Sequence, residues 1–520
     1  MTRDQKLIVV VAVMASLLEI IDTSIVNVAI PTMMGNLGAT LEDISMVVTG
    51  YAIANAIILP LSSWLSGRFG RRTYFLGCII AFTITSVACG LAPNLATLIV
   101  FRILQGLFGG ALLPTSQALI YEQFPKEKAG IAGAIFGMSV MIGPTLGPTM
   151  GGYLTDHFGW RMIFNINLPL GLIALFIGLM VIKDADHEVQ SRAAGPAQKV
   201  DLIGLGLLAV GIGSLQYVLE RGEANDWFSS SSIVIGLILA IVSLPTFVIW
   251  ELKIPNPILN IRLFKDGIVT NGVLLMANLG FFLYSVIFLL PVLVSRTLHL
   301  SATQTGMLFI PGSLLTAFMM PVVGRAMQKV EAKVLIFFGM CVIEVFAFSM
   351  TKFSGQSSYG EIISALYIRG LAMAFLFVPI NSSILSQFKG AALGQVSGLL
   401  NLSRQIGGSI GIAMVSTLLS VRAHQALQDL SNNFTLLNPN VQLAIQQASN
   451  AMATKMVSQV GSASPAQAAI RFMAMRLNQQ AFVISVVQLI YIIGFIFALG
   501  FIPLKLLKLR SRPAAVADSH

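Results

Sequence analysis

About fourteen apolar runs, each long enough to cross a bilayer, constrain this chain more than any other feature. In lipid no water is present to bond backbone N–H and C=O groups, so such runs must close their own hydrogen bonds as helices. They lie near 7–30, 44–66, 74–92, 96–120, 129–152, 161–183, 201–220, 230–250, 267–291, 303–324, 333–351, 362–386, 391–416 and 480–504. The composition agrees: 56% of the residues are hydrophobic and only 10% are charged, against about 25% charged in soluble domains. The expected fold class is an all-α polytopic membrane protein.

The net charge of +10 invites a nucleic-acid reading, but the placement of the charges opposes it. With the N-terminus in the cytoplasm, most Lys and Arg residues fall in inner loops and tails. Among them are Arg68, Arg71, Arg72, Lys126, Lys128, Arg325, Lys329 and the tail "KLLKLRSRP". Positive inner loops are the signature of membrane topology. The partner implied is therefore a lipid bilayer, with both termini cytoplasmic. The first run is too long for the apolar core of a cleavable leader and carries acids, so it is expected to remain as a span. Cys78, Cys89 and Cys341 sit in apolar runs without metal-ligand spacing and read as small buried hydrophobes.

Shifting the chain by 264 residues brings Gly106 onto Gly370, Phe124 onto Phe388, Gly130 onto Gly394, Gly143 onto Gly407 and Gly147 onto Gly411. Glycines are abundant, but one offset shared in the expected spans favours a true repeat over chance. The expected organisation is a six-span half at 1–183, two inserted spans with linkers at 184–266, and a second six-span half at 267–520. Parallel repeats of this kind enclose a central substrate site. A long outer segment, about 420–479, is rich in Gln, Ala, Ser and Asn and is expected to be partly helical; it is either a plain outer loop or a surface for a partner. Within it, Asn433-Phe434-Thr435 matches a glycosylation sequon, a short motif that matters only in a eukaryotic secretory path.

The stretch "LLEIIDTSIVNVAIP" places Glu19 and Asp22 inside the first span, three residues apart and so on one helix face. Glu19 lies about 18 Å along that helix, near the bilayer midplane. An ionised acid there costs roughly 2.5–3.5 kcal/mol on insertion scales, so it should face a cavity or a partner. Desolvation in general favours the neutral form of a carboxylate, which suits proton exchange near neutral pH; a structural hydrogen bond to a neighbouring helix is the competing role. Arg102, in "LIVFRILQGLFGGALLP", cannot lose its proton and can hold a carboxylate or steer a proton on a nearby acid. Gly106, Gly109 and Gly110 after it allow close helix contact. In "GMSVMIGPTLGPTMGGYL", Gly143, Gly147 and Gly151 recur at four-residue spacing, with Gly152 beside them. Pro144 and Pro148 remove backbone donors, which suits a helix that pivots or seals a cavity. The turn "SGRFGRRTYFL" carries Arg68, Gly70, Arg71 and Arg72 and is either a topology anchor or a latch on acids and helix C-termini. Arg369, Arg404 and Glu344 are three further intramembrane charges and candidate cavity residues. No Walker loop, metal-spaced His/Cys cluster or serine elbow is found, which argues against an enzyme and against ATP-driven pumping.

Taken in order, the acid-bearing first span, "SGRFGRR", "RILQG", "GPTLGPTMGG", "WRMIFNINLPLG" and "GLLNLSRQIGGSIG" resemble the major facilitator superfamily, and within it the fourteen-span drug:proton antiporters of the EmrB/QacA type. The resemblance covers nearly the whole chain. It implies two six-helix bundles that rock about a central site. It ties the acid at Asp22 to proton coupling or cation recognition and the arginine at Arg102 to proton transfer. The glycine-proline span is then the antiporter helix and the basic turn a cytoplasmic gate, although Gly67 stands where the superfamily often has an acid. The resemblance further implies a bacterial inner-membrane location and, in Gram-negative cells, a periplasmic adaptor with an outer-membrane channel.

The expected function is proton-coupled efflux of amphiphilic drugs by alternating access, with no cofactor beyond the proton gradient. A dedicated exporter of one metabolite, such as a siderophore or an antibiotic, fits the same fold. A non-transporting receptor or scaffold is the third class, and it gains nothing obvious from charges buried in both halves.

Overall fold

The structure is a computed structural model. It describes residues 1–508 apart from 184–200, 256, 299, 301, 355–356, 435–438 and 457–464. The sequon's Thr435 and the basic tail beyond Lys508 lie outside the described residues.

Among the described residues there are 14 helices long and apolar enough to cross a membrane. They are α1 (Arg3–Leu37), α2 (Leu41–Phe69), α3 (Arg71–Leu91), α4 (Leu95–Glu122), α5 (Lys126–Phe158) and α6 (Met162–Val181). Then come α7 (Leu202–Arg221) and α8 (Ser231–Lys253), followed by α9 (Gly267–Leu298), α10 (Gln304–Ala326), α11 (Ala332–Thr351), α12 (Tyr359–Leu385), α13 (Gly390–Asn432) and α14 (Ala469–Leu506). Local chemistry sets several ends. Thr2 and Ser358 each close a capping box, and Thr40, Asn94 and Asp201 cap α2, α4 and α7 through their side chains. Gly70, at φ +92°, makes the one-residue turn from α2 into α3, a conformation that a Cβ would oppose.

Two departures from the simple pattern of spans have physical reasons. Helix α4 breaks at Gly110-Ala111, where Leu95–Gly109 gives way to Leu112–Glu122. A Cβ at Gly106 would come 2.5 Å from the Tyr51 carbonyl oxygen, and one at Gly110 would come 2.6 Å from that of Asn55, so α4 is pressed backbone to backbone on α2. The thirteenth span continues as helix far past its apolar stretch, to Asn433. Its 44 residues reach about 66 Å at 1.5 Å per residue, twice the roughly 30 Å of a hydrocarbon core. The last span likewise begins as helix at Pro465, and a separate helix, Pro439–Met456, stands between them. Polar helix-forming residues extend these elements into water, so hydropathy alone ends them too early.

The packing repeats with a period of eight helices. Helix α1 packs on α5 as α9 packs on α13, α2 on α4 as α10 on α12, and α3 on α4 as α11 on α12. Across the middle, α5 packs on α10 and α2 on α13, which are again equivalent pairs. Helices α7 and α8 pack mainly on each other, with α7 touching both α2 and α13. The face at which α1 begins is called the near face below. Toward that face, Gln117 Nε2 donates to Asn381 Oδ1 at 2.8 Å, and these residues are 264 positions apart. Repeat equivalents that bond each other lie on the pseudo-two-fold axis. Gln117 Oε1 also accepts from Ser397 Oγ at 2.6 Å and from Asn401 Nδ2 at 2.7 Å. The Tyr121 and Ser382 hydroxyls meet at 3.0 Å, and Ser63 Oγ donates to the Ala391 carbonyl at 3.2 Å. The two halves are thus tied at their near-face ends.

Candidate functional site

Asp22 and Arg102 meet in the interior of the first half. Arg102 Nη1 donates to Asp22 Oδ2 at 2.5 Å, and both side chains are almost wholly buried. Asp22 Oδ1 accepts from Gln105 Nε2 at 2.9 Å and from Asn167 Nδ2 at 2.8 Å. Arg102 also donates to Gln105 Oε1 at 2.8 Å and to the Val47 carbonyl at 3.3 Å, and its guanidinium lies 4.1 Å from the Tyr51 ring centre. Asn167 is held in turn by Ser86 at 3.0 Å, and Ser86 donates to the Phe164 carbonyl. Side chains of α4 and α6 therefore hold the α1 carboxylate directly, and groups of α2 and α3 hold those side chains in turn. An ion pair in such surroundings persists because its remaining lone pairs and protons are also satisfied.

Glu19 occupies a separate pocket one turn away. Its Oε1 accepts from Asn55 Nδ2 at 2.9 Å, while Oε2 has no partner. Arg404 of α13 is likewise buried, among the residues of the second half. Arg404 donates to the Tyr284 hydroxyl at 2.9 Å and leaves its Nε without a partner.

The glycine-proline helix α5 has two working faces. A Cβ at Gly143 would come 2.2 Å from Ile20, one at Gly147 would come 1.9 Å from Ser24 Oγ, and one at Gly151 would come 2.9 Å from Ile25. These three glycines therefore seat α5 directly on α1, the helix that carries Asp22; Gly152 is buried beside them. On the other face, Pro144, Thr145 and Pro148 line a cavity. The cavity lies between the halves, away from the near-face seam, with α9, α10 and α12 as its other walls. Arg369 enters it from α12. Glu344 is elsewhere: it is half-buried on α11 against Gly494 of α14, with Oε1 unpartnered.

In the turn after α2, Arg71 pairs with Glu122 at the end of α4, and Arg72 Nη2 donates to the Leu179 carbonyl in the last turn of α6 at 3.2 Å. Arg68 stacks on Trp64. Both of the partner types expected for a latch are present, an acid and a helix C-terminus. Gly70 supplies the left-handed turn that brings the arginines there.

The family model described as the Major Facilitator Superfamily matches residues 12–412 of this chain. The chain belongs to the major facilitator superfamily. It is 35% identical over 435 residues to the multidrug export protein EmrB of Escherichia coli K12, covering 84% of each chain. It is 36% identical over 406 residues to the fatty acid resistance protein FarB of Neisseria gonorrhoeae, covering 78% of this chain and 79% of that one. The solved structure of the proton:xylose symporter XylE, at 16% identity, matches with a TM-score of 0.59 over 82% of this chain and 90% of that one, which shows a shared fold. A superfamily of transporters accounts for the absence of any enzyme motif in the sequence.

Sequence reasoning from charges alone missed the amides. Gln105 and Asn167 lie inside the quoted stretches "RILQG" and "WRMIFNINLPLG", yet only the structure shows them on Asp22. Asn55 and Tyr284 were equally silent. The usable signal was an uncharged hydrogen-bonding side chain deep in an apolar span, facing the same side as an acid.

Proposed function

We propose that this protein exports amphiphilic compounds across the bacterial inner membrane in exchange for protons, by alternating access between a half at 1–183 and a half at 267–520. The observation that carries the reading is the buried pair of Arg102 on α4 with Asp22 on α1, the same helix whose next face seats α5. A proton on Asp22 cancels the charge that holds Arg102, Gln105 and Asn167 together. The pair loosens, α1 shifts, and α5 moves with it because the glycine face leaves no gap between them. The opposite face of α5 lines the cavity, so a proton event in the first half reaches the substrate in the middle. Glu19, paired with Asn55, tunes the same helix one turn away. The basic turn at Arg68, Gly70, Arg71 and Arg72 braces the near-face gate.

Topology follows from the loops. Lys and Arg concentrate at the near face, which supports a cytoplasmic position for both termini. No cofactor is required, because the proton gradient supplies the work. The polar helix ends of α13 and α14, with Pro439–Met456 between them, stand on the far face. They offer a docking surface for a periplasmic adaptor that leads to an outer-membrane channel. The names of the relatives support the choice of cargo: one is a multidrug export protein, another a fatty acid resistance protein.

The test uses everted membrane vesicles with a fluorescent pH reporter. Adding a cationic or neutral amphiphile to energised wild-type vesicles should release protons, and Asp22→Asn should abolish that release. Equal proton movement in both would remove Asp22 from the coupling path.

A further inference from the structure

Arg369 is nine-tenths buried, yet its Nε and Nη1 have no hydrogen-bond partner, and it makes no ion pair among the described residues. Phe309 lies beside it, with its ring centre 5.8 Å from the guanidinium. A guanidinium cannot shed its proton, so burial without a counter-charge is strongly unfavourable. Arg102 shows what the fold supplies to a buried arginine that is paired within the protein: a carboxylate, an amide and a carbonyl.

The repeat sharpens the contrast. Shifted by the 264 residues that relate Gln117 to Asn381, Arg369 falls on Gln105. In the first half, the Gln105 side chain reaches the Asp22 carboxylate on α1. In the second half, α9 takes the place of α1, and no Asp or Glu occurs anywhere between Gly267 and Leu298. At this place the second half therefore carries a cation with no acid on the helix equivalent to α1.

The cavity beside Arg369 completes the picture. Met141, Leu283, Ile287, Phe309 and Met373 give it apolar walls beside the one guanidinium, the mostly apolar lining with few polar groups that small-molecule sites show. We propose that Arg369 binds the head group of a carboxylate-bearing amphiphile whose apolar tail fills this cavity, the ligand's carboxylate taking the part that Asp22 takes in the first half. A planar fork of donors matches a carboxylate and rejects a cationic head. This assignment rests on the export reading above and names a cargo class for it.

The test measures binding of radiolabelled decanoate to the purified full-length protein in phosphatidylcholine nanodiscs, beside decanol and decyltrimethylammonium as head-group controls. Wild type should bind decanoate more tightly than either control. Arg369→Gln should weaken decanoate binding about ten- to hundredfold, the loss of one charge-assisted contact, and leave decyltrimethylammonium unchanged. Arg369→Lys should recover part of the loss. An Arg369→Gln variant within about twofold of wild type for decanoate would overturn the proposal, as would no head-group preference in wild type, a result that needs no variant. Nanodiscs that also contain phosphatidylglycerol separate a free carboxylate from a lipid phosphate: loss of decanoate binding there would give the guanidinium to a lipid and overturn the assignment. Proton release driven by cationic amphiphiles, with no decanoate binding, would sink this site and leave the export reading standing. Arg369-dependent decanoate binding without proton release by any amphiphile would support the site and remove the export reading.

Discussion

Replacing Arg102 by methionine should destabilise the fold by about 3–5 kcal/mol, the penalty for leaving one member of a buried ion pair uncompensated. The structure supports a value in that range. Asp22 has no exposed surface, and without Arg102 it keeps only Gln105 Nε2 and Asn167 Nδ2 as donors. The contact with the Val47 carbonyl and the stack on Tyr51 are lost as well. Adding Asp22→Leu removes the stranded charge, so the double variant should regain part of the loss. It should not regain all of it, because Gln105 and Asn167 are then left with buried unpaired groups at about 1–3 kcal/mol each. Equilibrium unfolding in mixed dodecyl maltoside and sodium dodecyl sulfate micelles reads these differences in a double-mutant cycle. An Arg102→Met variant within about 0.5 kcal/mol of wild type, or two substitutions whose effects simply add, would refute the pairing as an energetic unit.

Gly147→Val should destabilise by about 1–3 kcal/mol through overpacking and abolish transport, since even a Cβ there comes 1.9 Å from Ser24 Oγ. Gly67→Ala, with nothing within 4 Å of the added carbon, should be neutral in the same unfolding and efflux assays. Gln117→Leu removes three hydrogen bonds from the near-face seam, together worth about 2 kcal/mol or more. Pulsed electron resonance between labels at the exposed positions 67 and 389 should then show a longer near-face distance. Asn167→Ala should slow substrate-driven proton release without abolishing it, because Arg102 and Gln105 still hold Asp22; release at the wild-type rate would show that Asn167 does not position the carboxylate.

Charges were legible in the sequence because burying them in lipid is expensive, so Asp22, Arg102, Glu19, Arg369 and Arg404 stood out from their spans. The glycine spacing of α5 was legible for a related reason, since only close backbone approach explains a small residue at every fourth place. Neither signal specified partners. Amides cost less to bury and are commoner in spans, so Gln105, Asn167, Asn55 and the axial pair Gln117 and Asn381 carried no warning. The 264-residue repeat predicted that equivalent positions exist, and the structure adds that one such pair meets on the axis. Hydropathy could not show that α13 runs on as helix to Asn433, because helix propensity and lipid solubility part company at the membrane surface. The same charge count that placed Arg369 in a span could not show that it stands in a cavity without an acid.

The central claim is that Asp22 carries the proton that drives substrate movement. Proteoliposomes that hold wild type or Asp22→Asn test it most directly, by comparing substrate accumulation under an imposed pH gradient with substrate counterflow, which needs no proton cycle. Asp22→Asn should lose accumulation and keep counterflow. Accumulation by Asp22→Asn at the wild-type level would contradict it.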